Sequence, residues 1–213
     1  VGITTNLEQR LAEHNAGKNS ASETGLRLHK AVLERDSALL ESLLAGGADP
    51  NQKNKDGDPP VIVAAEKEFL KAVSLLLDHG ADFRATDSSQ RTLLQKLAKV
   101  NAFALVADMI ERGADVNAVA SGSTTPLMAS VCNRGFESAL LLLNKGARIS
   151  ATDFRKWTPL HYACYFRNFS AIHLLVTAKA DVNAVDADGN TPLLTLGHDR
   201  HGFTSDFICS ADY

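Results

Sequence analysis

Apolar positions in this chain come in short runs, and each run stops at a turn. Leu75-Leu76-Leu77, Leu141-Leu142-Leu143 and Leu174-Leu175-Val176 lie just ahead of Gly80-Ala81-Asp82, Gly146-Ala147-Arg148 and Lys179-Ala180-Asp181. With Gly47-Ala48-Asp49 and Gly113-Ala114-Asp115, these tripeptides follow one another at four successive intervals of 33 residues. A second mark keeps the same phase. Thr158-Pro159-Leu160-His161 is echoed by Thr125-Pro126-Leu127-Met128 and Thr191-Pro192-Leu193-Leu194. It is echoed more loosely by Leu26-Arg27-Leu28-His29, Pro59-Pro60-Val61-Ile62 and Thr92-Leu93-Leu94-Gln95. Self-similarity at a fixed period of this length marks a repeat architecture.

Each period reads as two helices and a turn. Threonine before proline is an N-cap followed by a residue suited to the first helical turn. Leu160 and Ala163 share one helix face. The histidine at the end of that turn can tie neighbouring loops by hydrogen bonds. The apolar triplet lies on the second helix, and glycine closes it in a left-handed conformation. An Asp-x-Asn segment such as Asp181-Val182-Asn183 then turns the chain toward the next unit. A single unit cannot bury its own apolar face, so the units stack.

These marks resemble the ankyrin repeat, with its period of about 33 and T-P-L-H-x-A signature. The resemblance covers about residues 24–213. It implies an all-α ankyrin-repeat solenoid of helix-turn-helix units with β-turn fingers. The repeats are expected at 24–56, 57–89, 90–122, 123–155 and 156–188, with a degenerate sixth at 189–213. In that last unit Phe207-Ile208-Cys209 takes the phase of the apolar triplet. The third repeat departs most from the pattern: Leu93 replaces proline, Gln95 replaces histidine, and Asp108 falls in the triplet phase. Its neighbours are expected to template it.

Residues 1–23 precede the repeats. Thr5-Asn6-Leu7-Glu8 reads as a helix start with a capping box and Gly17 as a stop, with Leu7 and Leu11 on one face. This predicts an N-terminal helix over the edge of the first repeat. The run from Val1-Gly2 through Arg10 and His14 to Lys18 also resembles part of the GIY-YIG nuclease family. Arg10 stands where that family keeps its catalytic arginine, and His14 where it has another active-site residue. In such a site the arginine stabilises phosphate charge and a downstream glutamate holds a metal. The first motif would lie before Val1, and no later glutamate-bearing helix follows. The expectation is a remnant of another domain without catalytic activity.

Composition narrows the classes of function. The chain has 213 residues, 45% of them hydrophobic, and a formal net charge of −3. That is ample for a core and gives no general attraction to nucleic acid or an anionic membrane. No apolar run approaches the ~20 residues needed to span a bilayer, and no signal peptide is evident. Cys132, Cys164 and Cys209 read as reduced, packed thiols of a cytoplasmic protein. There is no phosphate loop, no G-x-S-x-G and no H-E-x-x-H. His198 and His201 are three apart, but no further ligand has a defined spacing, so neither metal nor cofactor is expected.

The resemblance implies binding through finger tips and the inner face of the first helices. On the fifth repeat that mapping selects Phe154, Arg155, Trp157, Tyr165 and Phe166, in a chain only 6% aromatic with one Trp. Aromatic residues and arginine are enriched in binding hot spots. The alternative is that Trp157 and Phe166 pack on the neighbouring repeat. Elsewhere the same positions hold Lys53, Lys55, Asp56, Glu66, Lys67, Lys99 and Asn133. Their mixed signs argue against a nucleic-acid groove. The expected function is a monomeric, non-catalytic scaffold binding another protein. The alternative is the targeting module of a GIY-YIG-type nuclease.

Overall fold

A computed structural model describes residues 23–133 and 136–196. The N-terminal segment with Leu7, Arg10, Leu11 and His14 lies outside the described residues. So do His198, His201, Phe207, Ile208 and Cys209. The chain folds as two compact units, the first ending at Asp82 and the second beginning at Phe83. The first holds α1 (23–33), α2 (Ser37–Ala45), α3 (Pro60–Glu66) and α4 (Leu70–Asp78). The second holds α5 (Leu93–Lys99), α6 (Phe103–Glu111), α7 (Pro126–Ser130), α8 (Glu137–Asn144), α9 (Pro159–Tyr165), α10 (Phe169–Thr177) and α11 (Pro192–Thr195). The fold class is all-α. Among the described residues the only β pairing is an isolated antiparallel bridge between Thr86 and Thr92.

The first helices start as the sequence predicts. Thr92, Thr125 and Thr158 each accept a hydrogen bond from the backbone N–H three residues on, and Pro126, Pro159 and Pro192 open their helices. Gln95 completes a capping box by accepting the Thr92 N–H at 2.7 Å, and His161 does the same for Thr158 through Nδ1 at 3.1 Å.

Among the described residues, left-handed positions fall into three sets, and each set keeps the period. Arg35, Glu68, Asn101 and Arg167 separate first from second helices. Gly47, Gly80, Gly113, Gly146 and Lys179 end the second helices, and Gly57, Gln90, Ser123, Lys156 and Gly189 shape the finger tips. Side chains then lock one repeat to the next. His29 Nε2 donates to the Gln52 carbonyl at 2.9 Å, and His161 Nε2 to the Asn190 carbonyl at 3.1 Å. Gln95, which breaks the histidine pattern, makes the same bridge to the Thr124 carbonyl at 2.8 Å. Asn51 and Asn117 clamp the following turn, each donating to a glycine carbonyl and accepting a backbone N–H.

The core lies between helices. In the second unit α5 packs on α6 and α7, and α9 packs on α10, α11 and α7. Leu94, Leu97, Leu127, Met128, Leu142 and Leu175 are fully buried there. The middle residue of each triplet (Leu76, Leu142 and Leu175) is the one buried completely, while the first is half-buried. Asp108 occupies that first position and pairs with Arg112 at 2.9 Å, so the third repeat keeps its fold.

Candidate protein-binding face

Four of the described fingers are built around one polar side chain near the base. In the remaining one Ala120 stands at that position and the turn is held by backbone bonds. Asp87 Oδ1 accepts the N–H groups of Ser89 and Arg91 at 2.9 and 2.8 Å. Asp153 does the same for Arg155 and Trp157 at 2.9 and 2.7 Å, and Asp186 for Asp188 and Asn190 at 2.9 and 2.8 Å. Asn54 plays this part in the first unit, at 2.9 Å to Asp56 and Asp58. This is the Asx-turn device of polar side chains in tight turns. In the second unit the fingers are also joined backbone to backbone. Ser121 N–H donates to Ser89, Phe154 to Gly122 and Ala187 to Arg155.

The second carboxylate oxygen of each finger acid is satisfied differently. Asp87 Oδ2 meets Lys96 Nζ at 2.8 Å and Arg91 Nε at 2.7 Å. Burial pushes the Asp87 carboxyl up, but Lys96 and Arg91 outweigh it and hold the group below the usual carboxylate range. Asp153 Oδ2 accepts the Tyr162 hydroxyl at 2.8 Å. Burial and the neighbouring Asp153 charge raise the Tyr162 phenol, which keeps its proton. Asp186 Oδ2 accepts Trp157 Nε1 at 3.1 Å. Its carboxyl is raised by burial, but hydrogen bonds from Asn190, Asp188 and Trp157 bring it below its usual range.

That last bond favours the packing alternative for Trp157. Trp157 is only 5% exposed and Tyr165 8%. The indole lies edge-on to Tyr162 and tilted against Tyr165, with ring centres 5.3 and 5.2 Å away. Both rings pack against each other beside Tyr162, where burial and, for the indole, a partner for its N–H stabilise them more than exposure would. The accessible part of the cluster is Phe154, at 56% exposure, with half-buried Phe166 and Arg155. The Arg155 guanidinium lies 4.8 Å over the Trp157 ring centre and 5.3 Å over that of Phe154.

The other sequence-selected residues are scattered. Lys55 and Lys67 are exposed in the first unit, on a finger and after the end of α3. Lys99 is half-buried at the end of α5. Asn133 is exposed, but its carboxamide donates to the Lys99 carbonyl and its own carbonyl accepts from Asn168, so its polar groups serve packing. Sequence reasoning passed over Lys156, exposed at the fifth finger tip with φ 60. Its signal was its phase, since Gly57 and Gly189 occupy the same position. It also passed over Phe103, Phe136 and Phe169, exposed at equivalent positions where the second helices begin.

Cys132 and Cys164 are buried thiols, and burial pushes the Cys164 thiol up to about 11, which suppresses a reactive thiolate. Among the described residues no group of three or more His, Cys, Asp or Glu could hold a metal ion, and no helix is long and apolar enough to cross a membrane.

The fold and its locked fingers define a helical-repeat protein of the class that generally serves protein–protein interaction. The chain belongs to the ankyrin repeat family: the family's profile, ankyrin repeats (3 copies), matches residues 28–120 and 127–196. The nuclease-like segment lies outside that match. Similar proteins include an ankyrin repeat protein of fowlpox virus, 31% identical over 74 residues, 35% of this chain and 10% of that protein. Mouse ankyrin repeat and SOCS box protein 6 is 36% identical over 69 residues, 32% of this chain and 16% of that protein. The Drosophila melanogaster ARF GTPase-activating protein Git is 36% identical over 115 residues, 51% of this chain and 15% of that protein. The chain thus spans a small fraction of the length of these relatives.

Proposed function

We propose that this chain is a non-catalytic protein-binding module that holds another protein on the finger tips and first helices of its second unit. The observation that supports this most is Phe154. A large apolar side chain stands exposed on a finger whose base is fixed by Asp153 and whose backbone is bonded to Gly122. A pre-ordered anchor binds with little entropy loss. Arg155, whose guanidinium lies 5.3 Å over the Phe154 ring centre, supplies secondary contacts together with Phe166 and Lys99 at the ends of first helices.

The test begins with a binder captured from the organism of origin and purified, its affinity then measured by calorimetry. Phe154→Ala is expected to weaken binding by about 1 kcal/mol or more, with the melting temperature unchanged. Phe169→Ala, at the exposed start of α10, is expected to bind as the parent does. If Phe169→Ala weakens binding and Phe154→Ala does not, the partner sits on the second helices and this reading fails.

A further inference from the structure

On the reading just given, that the fingers and first helices of the second unit bind a partner, we infer that the segment they take is acidic and extended, with one apolar anchor residue. The chain as a whole carries a formal charge of −3, so a cationic face here is a local arrangement. The acids of the fingers are turned inward. Asp87, Asp153 and Asp186 are all buried, and their oxygens are taken by backbone N–H groups, Lys96, Arg91, Tyr162 and Trp157. What reaches the surface of this face is basic. Lys156 is exposed at its tip and Lys99 is half-exposed on α5, while Arg91 and Arg155, 25% and 27% exposed, pair with Asp87 and Asp153 at 2.7 and 3.7 Å. Among the described residues of the second unit, Asp188 is exposed at a finger tip, and Asp115 and Asp181 are exposed in the turns that lead into the fingers.

The layout sets the spacing of the ligand. Lys99 belongs to the third repeat and Phe154, Arg155 and Lys156 to the fifth finger. The first helices α5, α7 and α9 pack in sequence, and packed helices lie about 8–10 Å apart. Two intervals of that size cover about 16–20 Å. Lys99, at the end of α5 away from the finger, is displaced further by about the length of that helix, ~10 Å. More than about six residues of extended chain at ~3.3 Å each therefore separate the two lysines. The matching ligand carries two carboxylates more than about six positions apart, with an apolar side chain that rests on Phe154 beside the carboxylate that meets Lys156.

The experiment is selection of a displayed library of random twelve-residue peptides on the full chain, followed by titration of the enriched peptides in synthetic form. Enriched peptides are expected to be acidic. They are expected to bind the double variant Lys99→Glu, Lys156→Glu at least tenfold more weakly, and Lys99→Gln, Lys156→Gln with an intermediate loss. Should Lys99→Glu fail to fold, Lys156→Glu alone carries the test, because Lys156 is a surface tip residue. Neutral or basic peptides that lose affinity on Phe154→Ala overturn the acidic ligand and leave the binding face standing. No enrichment, or peptides indifferent to both Phe154→Ala and the lysine changes, overturns both.

Discussion

At the scale of single residues, Lys179 and Gly113 occupy the same place in two repeats and are held in the same way. Lys179 has φ 67 and Gly113 φ 89, both left-handed. A side chain strains that conformation, whereas glycine adopts it freely. Lys179→Gly is therefore expected to raise stability by about 0.5–1 kcal/mol, and Gly113→Ala to lower it by about 1 kcal/mol. A Cβ on Gly113 would meet nothing within 4 Å, so the second effect comes from backbone strain alone. Urea denaturation of the two variants checks both signs. Trp157 is the residue whose role changed between sequence and structure. Its burial and its bond to Asp186 make Trp157→Ala a packing deletion, expected to cost about 3 kcal/mol or more of folding stability. Trp157→Phe, which keeps a ring and loses the bond, is expected to cost about 1–2 kcal/mol. An unchanged denaturation midpoint for Trp157→Ala would return the residue to the binding surface.

At the scale of the element, the third finger depends on a buried charge cluster. Asp87 faces Lys96 and Arg91, both within 2.8 Å. Removing one member of a buried pair costs about 3–5 kcal/mol, and Lys96→Met is expected near the lower end because Arg91 remains. The pH dependence follows from the carboxyl being held below its usual range. Such a group adds stability above the unfolded carboxylate range and loses that contribution as pH falls through its folded value. The cost of Lys96→Met is therefore expected to be full at pH 7 and to shrink at about pH 3, where Asp87 is largely protonated in the unfolded chain. Equal losses at both pH values in urea titrations would mean that Lys96 acts through packing. This cluster also shows what the sequence carried. Helix order, caps and left-handed glycines were legible because they depend on spacing within one repeat. Gln95 looked like a defect, yet it caps Thr92 and bridges to Thr124, because an amide supplies the acceptor and the donor that the histidine does. The Trp157 bond was not legible, since its acceptor lies 29 residues away and residue type alone does not tell which side of a finger a ring takes. Lys156 was hidden for a related reason: a phase mark reports backbone shape, and the side chain presented there is left open.

At the scale of the whole molecule, charge separates affinity from encounter. Fields of exposed charges decay over a Debye length of about 8–10 Å near physiological salt. An acidic peptide approaching this chain meets a net charge of −3 at long range and the Lys99, Arg155 and Lys156 face only on contact. Attraction that exists only at contact acts on the rate of leaving more than on the rate of arrival. Raising salt from about 50 to 500 mM shortens the Debye length to near that of a contact pair. Binding of an acidic peptide is then expected to weaken several-fold, with the dissociation rate carrying most of the change. Surface plasmon resonance across that range separates the two rates. A tenfold fall in association rate with a constant dissociation rate would show long-range steering, which a locally cationic face on a net anionic chain does not provide. The folding midpoint is expected to move little over the same range, because Asp87, Asp153 and Asp186 are buried with their partners and buried pairs are weakly screened.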